Sequence, residues 1–224
     1  MITSNVISRV FKLKYNNQTG TCFIVGDDEK QYFVTAKHVL QTRDKKAVLL
    51  DELKDGGNIE LFRDNKWLST SVIKCKHSNQ ADISVFVIKE KIPAHPLPAT
   101  MAGIVYGQDL FFLGFPYGMA SDIGELNRNF PLPFVRKGIL SLIDMNQKTK
   151  PFIIDGHNNP GFSGGPVVFK KPNSTEFQIA GVIHGYRPEF KVENAQYVPI
   201  ENTNSGMVIA YPIGEAVELA KDII

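Results

Sequence analysis

Cysteine is scarce in this chain: Cys22 and Cys75 are the only two in 224 residues. A secreted hydrolase stapled by several disulfides does not fit that composition, and two thiols point to a reducing compartment. Long apolar runs are missing as well, and none approaches the length that spans a bilayer. The N-terminus, Met-Ile-Thr-Ser-Asn-Val-Ile-Ser-Arg-Val, lacks the basic start, apolar block and small-residue cleavage site of a secretory leader. The expected location is the cytoplasm, with no membrane partner. Charge of one sign is nowhere concentrated, since 25 basic and 23 acidic side chains leave a net charge of +2. The pairs Lys45-Lys46 and Lys170-Lys171 fit solvated loop tips, which leaves no electrostatic case for nucleic acid. Two cysteines and five scattered histidines form no zinc-ligand spacing, so neither metal nor other cofactor is expected.

What the chain does have is a hydrophobic content of 43%, enough for one domain with two cores. Strand patterns recur at short intervals over residues 6–13, 21–25, 31–35, 47–50, 59–62, 67–74 and 83–88. A second series covers 108–114, 135–143, 151–155, 177–184 and 206–212. Turn residues separate them, as at 16–20, 55–58 and 77–80, and this spacing predicts an all-β barrel or sandwich. Residues 91–100 hold three prolines and serve as the connection between two halves, with His95 a linker residue. Residues 119–133 make a loop longer than its flanks need. Helical spacing returns at 214–223, with Glu215 in the first turn.

The chemistry gathers around residues 159–166, Asn-Pro-Gly-Phe-Ser-Gly-Gly-Pro. Glycines packed around the Ser163 hydroxyl let the backbone bend sharply and let a substrate carbonyl approach main-chain N–H groups. Acyl transfer needs such a turn, with Ser163 as nucleophile and the N–H groups of Gly161 and Ser163 aimed at the oxyanion. The other members of a triad lie upstream at strand ends: His38 in Tyr-Phe-Val-Thr-Ala-Lys-His-Val-Leu, and Asp82 in Ala-Asp-Ile-Ser-Val-Phe-Val-Ile.

Three motifs in the order His, Asp, Ser resemble the trypsin/chymotrypsin-like serine peptidases, and among them the high-temperature-requirement type, whose patterns are T-A-x-H-V, A/S-D-I-A-V and N-P-G-x-S-G-G-P. The resemblance runs through nearly the whole chain. It implies two six-stranded antiparallel β-barrels with a short C-terminal helix: an N-terminal barrel over about 1–90, a linker over about 91–105, a C-terminal barrel over about 106–213 and a helix at 214–223. It implies a serine endopeptidase with His38, Asp82 and Ser163 as catalytic triad, acting on protein or peptide substrates. His157 is placed near the base of the primary pocket, with Ile183, His184 and Gly185 along its wall. A switching role falls to the loop at 119–133. One position departs from secreted, zymogen-type relatives: Phe162 precedes the nucleophile where they carry an Asp, so a freed amino terminus finds no partner. Activation would then come from loop rearrangement, a homo-oligomer or an activating partner.

Rival readings are weaker on the residues. An inactive peptidase fold that holds a peptide along its edge remains the alternative, although all three triad types are present. Gly161–Gly165 also satisfies the G-x-S-x-G elbow of α/β-hydrolases, but that class needs an acid and then a histidine after the serine, and only His184 follows, on an expected strand. Cys75 and His77, two apart on a strand, are side chains of one face and not a thiol-enzyme pair.

Overall fold

The computed structural model describes residues 1–26, 28–41 and 57–224. A helical turn α1 (Ser4–Ile7) leads into β1 (Val10–Tyr15), β2 (Gln18–Gly26) and β3 (Gln31–Thr35). After a 3-10 turn at Lys37–Leu40 follow β4 (Asn58–Arg63), β5 (Lys66–His77) and β6 (Ser84–Ile88). These six strands close into a barrel in the order β1-β2-β3-β6-β5-β4.

The second half contains β7 (Asp109–Gly114), β8 (Phe134–Ile143), β9 (Phe152–Asp155), β10 (Pro166–Lys170), β11 (Phe177–Tyr186) and β14 (Met207–Pro212), and then the helix α2 (Gly214–Ala220). They close in the order β10-β11-β14-β9-β8-β7, while β12 (Phe190–Glu193) and β13 (Gln196–Pro199) form a separate two-stranded sheet. All strand pairs in both barrels are antiparallel. The expected all-β, two-barrel architecture with a short C-terminal helix is thus the observed one. Among the described residues, no helix is long and apolar enough to cross a membrane.

Strand β3 shows why these sequences read as continuous apolar runs. Every one of its residues is buried. Phe33 points into the first barrel, stacked on Phe86 with ring centroids 5.2 Å apart, whereas Tyr32 and Val34 point outward. The outward side chains do not meet water. They join a core that also takes Val10, Phe23 and Val85 from the first barrel, Leu113, Val168 and Ile179 from the second, and Ala216 and Ile223 from the C-terminal end. Burying each such side chain contributes about 1.5–3 kcal/mol, so the two barrels share a seam as well as having separate interiors.

Two local expectations change. The strand expected over 6–13 begins only at Val10, because the preceding residues coil into α1 and let buried Arg9 donate to Asn5 O and Asn5 Oδ1, each at 2.9 Å, and to Ile24 O at 2.9 Å. Burial pulls that guanidinium down to about 10. The passage at 186–203, without a strand in the sequence reading, contains the β12–β13 hairpin. The strand expected at 47–50 and the first half of the turn at 55–58 lie outside the described residues.

Candidate active site

The cleft is assembled from three loops. Where β3 ends, the 3-10 turn carries His38 out of the first barrel. Asp82 lies on the loop between β5 and β6, and Ser78 organises that loop. The buried Ser78 Oγ accepts the N–H groups of Gln80 at 3.0 Å and Ala81 at 2.9 Å, and donates to Glu215 at 2.5 Å. Helix α2, at the far end of the chain, therefore clamps the loop that presents the acid.

Ser163 sits between β9 and β10 in a turn closed by the Gly165 N–H on the Phe162 carbonyl at 2.8 Å. Gly164 N–H donates to Ile183 O at 2.8 Å, and Ile183 N–H returns to Gly165 O at 2.9 Å. From the first barrel, Thr21 N–H donates to Ser163 O at 2.9 Å and Thr21 Oγ1 to Gly161 O at 2.7 Å, while Thr35 Oγ1 holds Thr21 O at 2.7 Å. Gly161 (φ +108°) and Gly164 (φ +83°) occupy conformations that L side chains rarely adopt, and a Cβ at Gly164 would collide with Thr21 O and Thr35 Oγ1. Phe162, where zymogen-type relatives would carry an acid, is fully buried edge-to-face against Phe112, with centroids 5.3 Å apart.

The Asp82 carboxylate accepts three donors. Oδ1 takes the His38 backbone N–H at 2.9 Å, and Oδ2 lies 2.6 Å from His38 Nδ1 and 2.6 Å from His184 Nδ1. Burial pushes this carboxyl up, but hydrogen bonds from His184 and His38, together with the charges those rings can carry, outweigh it and hold the group well below the usual carboxylate range. An ionised carboxylate only accepts, so both imidazoles carry a proton on Nδ1. The Ser163 hydroxyl donates to the His184 carbonyl at 3.1 Å, and among the described residues it forms no bond to an imidazole.

The residues expected to line a primary pocket part ways. The Ile183 side chain is fully buried in the second-barrel core. At Gly185 a side chain would meet nothing within 4 Å. His157 is exposed, its Nε2 3.4 Å from Asn159 Nδ2, which also lies 3.2 Å from the Tyr117 hydroxyl. His184 turns its imidazole onto the acid, an engagement the sequence reading did not anticipate. The imidazoles of His38 and His184 and the Asp82 carboxylate form one cluster, an atom of each lying within 4.8 Å of the others, joined by the two Nδ1–H donors on the acid. A search for spacing along the chain could not see that set, because its members are far apart in sequence. Thr21, Thr35 and Ser78 were missed too; only Thr35, inside the T-A-x-H motif, carried any signal.

The profile of the trypsin-like peptidase domain matches residues 20–171. The protein named Serine protease HtrA-like from Staphylococcus aureus (strain USA300) is 25% identical over 199 residues, which cover 86% of this chain and 22% of that protein. The chain thus spans less than a quarter of the length of the curated relatives it matches. The active form of the Rv3671c protease from M. tuberculosis superposes with a TM-score of 0.63 at 16% identity, over 97% of this chain and 82% of that one. The HtrA-type protease AlgW with a tripeptide gives 0.61 at 21% identity, over 99% and 62%. At such identities these structures speak to the fold, and they share the two-barrel arrangement. With the profile spanning more than half of its length, and the three motifs brought into one cleft, the chain belongs to the trypsin-like peptidase domain family.

Proposed function

We propose that the chain is a serine endopeptidase that hydrolyses peptide bonds of protein or peptide substrates through an acyl-enzyme, with His38, Asp82 and Ser163 as the triad. The observation that carries this reading is the double grip of Asp82 on His38: one carboxylate oxygen on the backbone N–H, the other on Nδ1. That grip fixes both the ring and its tautomer, so that Nε2 is the free base. Catalysis then needs the Ser163 hydroxyl to rotate from the His184 carbonyl toward His38, an adjustment of the kind that completes active sites when substrate arrives.

In the reaction His38 Nε2 takes the Ser163 Oγ proton as Oγ bonds to the scissile carbonyl carbon. The carbonyl oxygen becomes an oxyanion facing the N–H groups of Gly161 and Ser163, which no acceptor engages among the described residues. His38 passes its proton to the leaving amine, and a water, deprotonated by the same imidazole, releases the acid. Gating by loop rearrangement, a partner or self-association fits the apolar burial of Phe162, which leaves no acid to receive a freed amino terminus. A cytoplasmic setting fits the two cysteines, which are not joined by a disulfide.

The test is labelling by a fluorophosphonate probe. The native chain should label at Ser163, and Ser163→Ala should lose both labelling and peptide hydrolysis, the latter by about 10⁴-fold or more. An unlabelled native chain with no hydrolysis would favour a silent peptide-binding module, and undiminished cleavage by Ser163→Ala would refute the assignment.

A further inference from the structure

His184 occupies an irregular point of its strand. Along the β11–β14 pair, Ile183 faces Ala210 and Gly185 faces Ile209, so His184 is the extra residue of a bulge. A bulge re-aims the side chain it carries, and here the imidazole reaches across the cleft to Asp82 Oδ2 at 2.6 Å. The same oxygen receives His38 Nδ1 at 2.6 Å, and the two rings stand edge to face with centroids 5.8 Å apart. His184 also meets Tyr211 edge to face at 5.7 Å, and its carbonyl receives the Ser163 hydroxyl. Backbone irregularity, a second donor on the acid and a bond to the nucleophile thus converge on one residue.

We propose that His184 is a positioning residue for the triad, a second imidazole on Asp82 whose Nδ1–H holds the carboxylate in the orientation that grips His38. This rests on the peptidase reading above. Its N–H holds the carboxylate in place and leaves the negative charge to be shared with His38. Without that N–H the carboxylate loses one of its three donors and the restraint on its orientation, and with it the aim of the His38 ring. Among the described residues the titratable groups in contact with His184 are Asp82 on the β5–β6 loop, His38 on the 3-10 turn and Tyr211 on β14. Burial and the Asp82 charge raise the Tyr211 hydroxyl, so it stays neutral beside the acid.

Two measurements test this, one of which needs no activity. In proton NMR of the Ser163→Ala chain, two strongly deshielded imidazole N–H resonances should appear, one from each histidine on Asp82. In Ser163→Ala/His184→Asn one should remain, and none should remain with Ser163→Ala/Asp82→Asn. A single resonance in Ser163→Ala, or two surviving in the His184→Asn form, overturns the proposal even if the chain proves inactive.

The second measurement is kcat and KM in two variants. Asn places Nδ2 where His places Nδ1, so His184→Asn keeps a donor on the acid. It should hold turnover within a few-fold of the native chain, whereas His184→Leu should lower kcat about tenfold or more with KM little changed. Equal kcat in the native chain and His184→Leu overturns the proposal while leaving the triad assignment standing, and loss of Ser163 labelling in the native chain would instead strike the triad assignment.

Discussion

Thr21 Oγ1 donates to the Gly161 carbonyl at 2.7 Å, so a strand of the first barrel holds the nucleophile turn of the second. The same hydroxyl oxygen accepts the Phe115 N–H at 3.3 Å. Thr21→Val keeps the shape and removes both bonds, leaving buried backbone groups without partners. The expected cost is about 1–3 kcal/mol in chemical denaturation. A drop in kcat that exceeds any change in KM should accompany it, because the turn carries the groups that act on the transition state.

Gly164→Ala tests the close approach of Thr35 and Thr21 to the turn. The residue has φ +83°, and a side chain there enters the space of Thr35 Oγ1. Strain and collision together should destabilise the fold by about 1–3 kcal/mol and abolish fluorophosphonate labelling. Gly185→Ala is the control, since nothing lies within 4 Å of its added methyl and its denaturation midpoint should hardly move.

Phe162→Asp restores the residue type of zymogen-activated relatives in a place built for an aromatic ring. The site is fully buried against Phe112, and the Arg136 guanidinium carbon lies 6.0 Å from the centre of the ring, too far for the shorter Asp side chain to pair with it. Destabilisation of about 3 kcal/mol or more is expected. Phe162→Leu, which remains apolar, should lose distinctly less in the same denaturation series.

Asp82 makes stability depend on acidity. Its folded carboxyl lies well below the unfolded value of about 3.9, held there by His184 and His38 against the upward push of burial. Its contribution is therefore complete above the unfolded value and is lost as pH falls toward the folded one. Denaturation of the native chain and of Asp82→Asn should differ most near about pH 6, and the gap should narrow by about pH 3 as protons enter the unfolded carboxyl. A gap constant over that window would contradict the bonding described at Asp82.

Much of this was legible in the residues, for reasons that differ from place to place. His38, Asp82 and Ser163 stand in motifs whose neighbours build the strand ends and the turn, and β3 has the ends expected for it. Strand β10 offers no alternation, because Pro166–Phe169 are all buried, and it was not distinguished from the turn before it. The β12–β13 hairpin fails for the opposite reason, its residues being almost all exposed and without a buried face to set a period. The aim of His184 was out of reach, since a bulge breaks the period of two on which strand reading depends.

The long loop at 119–133 also looks different in three dimensions. Phe130 is buried against Phe11 of the first barrel, with centroids 4.8 Å apart, and the Arg128 guanidinium donates to Ser8 O at 2.8 Å. Removing residues 121–130 would therefore take away a brace along with any switch. Phe130→Ala should cost about 3–5 kcal/mol, read by thermal denaturation, while leaving the loop's length intact.

The common core in which Val34 and Val85 meet Val168 and Ile179 also limits how the molecule can move. Opening the cleft by swinging one half away from the other would expose that oily weld to water, so guests must be admitted by rearranging rims and not by a hinge. Heating should accordingly melt both halves in one cooperative step, with no half-melted species surviving in between.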